Sequence, residues 1–224
     1  MSPVSVSIAA ARMPATSRAV PAVFVVDDDV SVRESLELLI ISAGWHVETF
    51  ASAQEFLLRD RPATPSCLVL DVNLPDVNGL ELQKRVAAGG AGIPIIFITG
   101  HGDVRMSVRA MKAGAIEFLV KPLGDDLMLR AIEEALGRSR RALAEEAEMR
   151  TLRERYATLS GREREVMDLV ARGLLNKQVG GELGISEITV KAHRGKMMRK
   201  MQAESLADLV NMAARLRSPH GGDD

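Results

Sequence analysis

The chain has 224 residues, of which 46% are hydrophobic and 26% charged, and this composition excludes disorder throughout. No apolar run approaches the ~18 residues of a membrane-spanning helix, so we expect neither a membrane span nor a membrane partner. Because Cys67 is the single cysteine, a disulfide framework or a cysteine-based zinc site within one chain is excluded. A reducing, cytoplasmic setting is therefore expected.

The formal net charge of −1 hides two parts of opposite sign. Residues 158–217 contain 11 basic and 7 acidic side chains, a net charge of +4, which leaves −5 for the rest of the chain. Opposite charges in two parts of one chain favour two domains with different partners.

Between residues 22 and 140, short β-branched segments alternate with segments of helical period, which predicts βαβ units. The strands are predicted at 23–26, 47–50 (an edge strand), 68–70, 93–98 and 116–120. The helices are predicted at 30–43, 52–58, 79–88, 103–113 and 125–156. The fold class is therefore α/β, a five-stranded doubly wound parallel sheet with its sites at the carboxyl ends of the strands.

Residues 159–216 show helical signals only and predict an all-α domain of four helices. Ser160 and Glu163 have the spacing of a capping box, while Asn176 and Ser186 are predicted to cap the two helices that follow. The helix after Ser186 is basic, and the methionines at its end are predicted to face the core. A short helix, a glycine-containing turn and a second, basic helix form a helix-turn-helix pattern.

The hydrophobic phase changes near residues 137–142, which marks a candidate linker. The predicted organisation is a disordered tail at 1–20, the α/β domain at 21–139, a helical linker at 140–157, the helix-turn-helix domain at 158–217 and a disordered tail at 218–224.

Acidic residues follow two of the predicted strands. Asp27, Asp28 and Asp29 come directly after the first strand, and Asp71 ends a later one. Carboxylates at neighbouring strand ends are unfavourable without a cation, and oxygen ligands suit Mg²⁺. Asp71 could then act as a nucleophile that forms an acyl phosphate. Helix capping is the alternative explanation for the three consecutive acids, and it suits Asp29 best.

Two further strand ends carry Thr99 and Lys121. A hydroxyl and an ammonium group in the same cleft could each hold one oxygen of a phosphoryl group, while a cation holds another. The Lys121-Pro122 bond could be cis, as X-Pro bonds sometimes are.

These motifs resemble a known family. Residues 22–140 are similar to the receiver domain of bacterial two-component response regulators, and 158–217 resemble the LuxR-type helix-turn-helix. Together they resemble the FixJ branch of the NarL/FixJ family. The matching segments are VVDDD at 25–29, LDVNLP at 70–75, TGHGD at 99–103, KP at 121–122, LSGRE at 159–163, GLLNK at 173–177 and ISEITVKAH at 185–193.

The resemblance implies a role for each residue of the acidic site. Asp71 would be the phosphoacceptor, Asp28 and Asp71 would bind Mg²⁺ with the backbone carbonyl of Asn73, and Asp27 would act through water. The switch residues would be Thr99, Lys121 and Phe118. Phe118 is equally well explained as an ordinary core residue.

The resemblance also implies a DNA interface, with 187–201 as the recognition helix. Lys191, Arg194 and Lys196 would reach bases or phosphates. The other predicted DNA-binding residues are Asn176, Lys177, Ser186, Thr189, Val190 and His193. Gly180 stands where relatives usually have Ala, and Gly181 follows it, so this helix is expected to be weaker by roughly 1 kcal/mol per glycine. Gly195 occupies a position that can contact bases in relatives, so base preference does not carry over.

The leading hypothesis is a transcription factor that a sensor histidine kinase phosphorylates on Asp71. Phosphorylation would drive homodimerisation on double-stranded promoter DNA, with RNA polymerase as a further partner. One alternative is a phosphorylation-independent regulator whose receiver does not switch. Another is an aspartyl-nucleophile phosphotransferase, which would need a general acid where this chain has Asn73.

Overall fold

A computed structural model describes residues 20–59, 63–88 and 92–217. The predicted tails lie outside the described residues, except for Val20. The chain divides into two compact units, Met1–Arg141 and Ala142–Asp224. In the part that is described, no helix is long and apolar enough to cross a membrane.

The first unit contains a five-stranded sheet in the order β2-β1-β3-β4-β5, with every pair parallel. Its strands are β1 (Ala22–Val26), β2 (His46–Phe50), β3 (Ser66–Asp71), β4 (Ile95–Thr99) and β5 (Glu117–Val120). Its helices are α1 (Val30–Ser42), α2 (Ala53–Leu57), α3 (Gly79–Ala88), α4 (Val104–Lys112) and the first part of α5 (Asp125–Ala157). The doubly wound fold and the edge position of β2 are confirmed.

Local signals account for the ends of these helices. The side chains of Asp29, Ser52 and Asp103 cap α1, α2 and α4 by accepting backbone N–H bonds. Gly44 and Gly114 follow α1 and α4 with φ of 80° and 87°, a left-handed conformation that glycine adopts without a steric penalty.

The sheet separates two apolar cores, because successive side chains of a strand face opposite sides. On one side, Phe24 and Phe97 pack with residues of α2 and α3. On the other side, Val25 and Ile96 pack with residues of α1 and with Ile132 of α5. Both faces of the central strands are therefore buried, as their continuous apolar segments predict.

All the regular secondary structure among the described residues of the second unit is α-helical. It contains the last part of α5, then α6 (Gly161–Ala171), α7 (Asn176–Leu183), α8 (Glu187–Met201) and α9 (Leu206–Arg217). Ser160 and Glu163 form the predicted capping box. Helix α5 is continuous through residues 137–142, where the hydrophobic phase changes.

One predicted cap is wrong. Leu175, not Asn176, is the N-cap of α7, and its N–H donates to Gln178 Oε1 over 2.8 Å. Asn176 is the first helical residue, and its Oδ1 accepts a 3.0 Å bond from Arg194 Nη1. The Asn176 side chain therefore ties α7 to α8 instead of capping its own helix.

The glycine pair of α7 has two different environments. A Cβ atom at Gly180 would lie 2.8 Å from the backbone oxygen of Ile185, whereas a Cβ at Gly181 would meet nothing within 4 Å. Gly180 therefore permits a close approach between α7 and the turn that follows it, and the expected cost of this glycine is offset by packing. Gly181 has no such compensation.

We predict that Gly181→Ala stabilises the second unit by up to about 1 kcal/mol, because it removes only the helix penalty of glycine. Gly180→Ala should destabilise it, because the added methyl group displaces the turn. Hydrogen exchange of the α6 and α8 amides in the full chain measures both effects. Equal stabilisation by the two substitutions would contradict the close approach at Gly180.

Candidate functional site

The carboxyl ends of four strands meet at one edge of the sheet. Val26 pairs with Leu70, Asp71 with Ile98, and Thr99 with Val120. This register brings together the residues at the ends of β1, β3, β4 and β5. They are Asp27, Asp71, Thr99 and Lys121, the set that the sequence predicts for one cleft.

Lys121 joins the two buried acids of this cleft. Its Nζ atom lies 2.7 Å from Asp27 Oδ2 and 2.9 Å from Asp71 Oδ1. Asp27 is 0% exposed and Asp71 5% exposed, whereas the Lys121 side chain retains 22% exposure. The ammonium group is thus the counter-ion of both carboxylates and still reaches the mouth of the cleft. The Lys121-Pro122 bond is cis, as considered from the sequence.

Burial and ion pairing shift the pKa values of Asp27 and Lys121 in opposite directions. Burial raises the pKa of Asp27, and the hydrogen bond from Lys121 reverses only part of that effect. Burial alone would lower the pKa of Lys121, but its bonds to Asp27 and Asp71 raise it overall. Lys121 is therefore firmly protonated, and the charge of Asp27 depends on it.

Backbone N–H groups hold the remaining carboxylate oxygens. Asp29 N–H donates to Asp27 Oδ1 over 2.9 Å, and Asn73 N–H donates to Asp71 Oδ2 over 2.6 Å. The loop after β3 is tightly packed, because a Cβ at Gly79 would lie 2.7 Å from the backbone oxygen of Asp71. The direction of the Asp71 carboxylate is therefore fixed by the loop as well as by Lys121.

The three consecutive acids have different surroundings. Asp27 is buried, Asp28 is exposed, and Asp29 caps α1 through a 2.8 Å bond from Ser31 N–H. Helix capping is therefore the correct explanation for Asp29. Arg33 Nη1 donates to the backbone oxygens of Asp27 and Asp28 over 2.7 and 2.9 Å, which fixes this loop from the side of α1.

The donor atoms at the mouth of the cleft fit a hard cation. In residues 20–59, 63–88 and 92–217, no three His, Cys, Asp or Glu side chains form a closed metal site. Mg²⁺ does not require one, since it keeps several waters and takes one or two carboxylates. The exposed Asp28 and the carboxylate of Asp71 are the two carboxylates that would hold it.

Thr99 is fully buried, and its hydroxyl is held by the loop that follows β4. Thr99 Oγ1 accepts from His101 N–H over 3.2 Å and donates to the His101 carbonyl over 3.3 Å. It also accepts a 3.4 Å bond from Asn73 Nδ2, which connects it to the loop of Asp71. Phe118 is half-buried, with its ring centroid 6.3 Å from that of Phe97.

In the second unit, α8 has one buried side and one exposed side. Val190 is fully buried with Met197 and Met201, so the methionines belong to the core as predicted. The assignment of Val190 to the DNA-binding set is wrong, because its side chain has no surface left for a ligand. Lys191 and Lys196 are exposed.

The remaining predicted DNA-binding residues fall into two groups. Lys177 and Ser186 are exposed, and Ser186 caps α8 by accepting from Thr189 N–H over 3.2 Å. Asn176, Thr189, His193 and Arg194 are half-buried. Arg194 binds Asn176, while His193 Nδ1 has no hydrogen-bond partner among the described residues.

An ion pair that the sequence does not reveal supports this unit. Lys200 Nζ lies 2.6 Å from Glu163 Oε2, and Glu163 also accepts from Ser160 N–H in the capping box. The bond from Lys200 lowers the pKa of Glu163. One of the basic residues of α8 is therefore used to hold α6 in place.

Comparison with known proteins finds one family model in each of the two units. Residues 23–133 match the family model described as response regulator receiver domain, and 157–213 match bacterial regulatory proteins, luxR family. Nodulation protein W of Bradyrhizobium diazoefficiens is 52% identical over 194 residues, which cover 87% of this chain and 86% of that protein. The transcriptional regulatory protein FixJ of the same organism is 43% identical over 193 residues, 86% of this chain and 94% of FixJ. The chain belongs to the NarL/FixJ-type response regulators.

A solved structure of the response regulator StyR is also similar to this chain. Its TM-score is 0.78 at 50% identity, and the match covers 88% of this chain and all of that one. Response regulators of this type join a receiver to a LuxR-type DNA-binding domain. Phosphorylation by a histidine kinase is the mechanism of the family.

Two contacts of the receiver are also missing from the sequence prediction. Arg33 lies on the predicted first helix, but nothing in its spacing indicates that it reaches back to two carbonyls. The link from Asn73 to Thr99 joins residues 26 positions apart. Only the family motifs, which contain both residues, could have indicated it.

We predict that Lys121→Met destabilises the receiver by about 3–5 kcal/mol at neutral pH, because it leaves the buried carboxylates of Asp27 and Asp71 without their counter-ion. The loss should shrink as the pH falls. Burial raises the pKa of Asp27, so the folded state binds a proton on Asp27 more tightly than the unfolded state does. Acidification therefore stabilises the folded variant relative to the unfolded chain. Urea unfolding followed by Trp45 fluorescence measures the effect in the full chain.

Lys112→Met, on the exposed side of α4, is the matched control and should cost little. Asp27→Asn together with Lys121→Met should cost less than the two single changes added together, because the double variant leaves one buried carboxylate, not two, without its counter-ion. A cost for Lys121→Met no larger than that of the control would contradict the proposed role of the ammonium group.

Proposed function

We propose that the receiver accepts a phosphoryl group on Asp71 from a sensor histidine kinase and that this modification switches DNA binding. The observation that carries the proposal is the pairing of Asp71 with Lys121 next to the buried Asp27. An acceptor carboxylate, a fixed ammonium group and a hydroxyl at adjacent strand ends are the components that phosphoryl transfer needs.

Mg²⁺ would be held by Asp28, Asp71 and the backbone carbonyl of Asn73, with Asp27 acting through water. When bound, the cation neutralises charge on the phosphoryl oxygens. The chain supplies the rest of the chemistry. An oxygen of Asp71 attacks phosphorus, and the new O–P bond forms as the bond to the donor breaks. Lys121 is already within 2.9 Å of Asp71, so it can stay with the modified side chain.

The buried hydroxyl of Thr99 links this reaction to a change of shape. In the resting state it bonds to the backbone of His101. A phosphoryl oxygen on Asp71 would be a stronger acceptor than that carbonyl, because it is charged. Turning the hydroxyl towards it releases the loop after β4, and the half-buried ring of Phe118 can then move inward. The added charge thus biases an element with two states.

The output in this proposal is a homodimer on a two-fold promoter site. Exposed Lys177, Lys191 and Lys196 would provide phosphate and base contacts, with Ser186 and Thr189 at the start of the recognition helix α8. Asn176, His193 and Arg194 would contribute from half-buried positions. RNA polymerase would be the next partner, and DNA as a target implies a cytoplasmic location.

The experiment compares the wild type with two aspartate variants in the full chain. Acetyl phosphate or beryllofluoride with Mg²⁺ should convert the wild type from monomer to dimer and strengthen binding to footprinted genomic sites. Asp71→Ala should remain monomeric. Asp29→Asn is the matched control, because its side chain can still cap α1 and lies outside the cluster. Sizing and footprinting give both readouts.

Different results would favour the alternatives. An Asp71→Ala variant that dimerises and binds DNA like the wild type would indicate a receiver that does not switch. Release of phosphate from small phosphoesters faster than Asp71 loses its own phosphate would indicate a phosphotransferase. Either result would contradict the proposal.

A further inference from the structure

Over residues 188–195, the side of α8 that faces away from the core carries small or apolar residues instead of charges. Ile188 is 80% exposed, and Ala192 and Gly195 are also exposed. At ~100° per residue, these three positions lie within an arc of roughly 60° on the side opposite Val190 and Met197. We call Ile188, Ala192 and Gly195 the apolar ridge of α8.

Basic side chains border this ridge. Lys191 and Lys196 lie on its two sides, and Arg199 continues it towards the C-terminus of the helix. Lys191 also pairs with Glu187 over 3.1 Å, which holds its side chain along the helix. Cations on both sides suit the phosphates that line a DNA groove, and the ridge between them would then face the floor of the groove.

The apolar character of the ridge determines which chemical group of the groove it can contact. Thymine is the base that presents a methyl group in the major groove, whereas the other base edges there are hydrogen-bonding groups that an isoleucine cannot satisfy. Ile188 is the second residue of α8, and the first residues of a recognition helix are those that reach base edges. The missing side chain at Gly195 lets the backbone come close to the bases.

We propose that Ile188 packs against the 5-methyl group of a thymine, so that this protein recognises one base of each half-site by apolar contact. The proposal rests on the DNA-binding function and specifies the base that it reads. It also explains how a recognition helix with Ala192 and Gly195 on its outer side can be selective. The fit of the helix to the groove and the contact with the methyl group would do the work of the long polar side chains that are missing at Ala192 and Gly195.

The test uses the full chain activated with beryllofluoride and Mg²⁺. Preferred duplexes are first selected from a random pool, and each thymine of the selected site is then replaced by deoxyuridine, which lacks only the methyl group. At one position of each half-site, the replacement should weaken wild-type binding about fourfold per methyl group, the effect of exposing one buried methyl. Ile188→Ala should bind both duplexes equally.

Ile188 is exposed, so its replacement should leave the fold intact, and Ile188→Val should keep part of the methyl effect. Leu206→Ala, which trims another exposed side chain of the same unit, is the control and should retain the full effect.

If wild type binds DNA but no thymine shows the effect, or Ile188→Ala retains it, the inference fails and the proposed function stands. If the activated wild type binds no duplex at all, the proposed function fails and the inference with it.

Discussion

Two carboxylates that lie side by side away from water repel each other unless a cation is placed between them. In this receiver the cation is the ammonium group of Lys121, bound to Asp27 and Asp71 at once. The arrangement fixes the direction of the Asp71 carboxylate, which is the orientation that a nucleophile requires. The same arrangement makes the resting site dependent on one side chain.

The fold of the first unit makes the contact of Lys121 with the two carboxylates possible. Lys121 and Asp27 are 94 residues apart in the chain, and they meet because the strands are parallel and in a register that aligns their carboxyl ends. The loops then complete the geometry. Gly79 lets the chain pass close to the Asp71 carbonyl, and Arg33 fixes the carbonyls of Asp27 and Asp28. A change in the register of β1, β3 or β5 would separate the charges.

Most of the fold could be predicted from the sequence, because strand segments, caps and glycine stops are local signals. The residues of the acidic cleft could be predicted for a similar reason, since they end or directly follow strands of the sheet. The errors concern tertiary contacts. Asn176 has a capping side chain but uses it on Arg194, and Val190 lies in a motif next to Lys191 but faces the core. Helical period alone would have grouped Val190 with Met197, seven residues later.

The second unit shows why net charge is a poor guide to contact residues. Of its basic side chains, Lys200 holds Glu163 and Arg194 holds Asn176, so part of the positive charge is structural. On α8, the exposed Lys191 and Lys196 lie on the two sides of the apolar ridge. In the proposed interface, affinity and base preference would therefore depend on different residues of α8.

Asp71 is the residue that we propose becomes an acyl phosphate. After incubation with acetyl phosphate and Mg²⁺, borohydride reduces an acyl phosphate to an alcohol, and mass spectrometry then locates the homoserine that results. Homoserine is expected at position 71 and at no other aspartate. Conversion at Asp27 or Asp28, or no conversion at all under conditions that modify a known receiver, would contradict it.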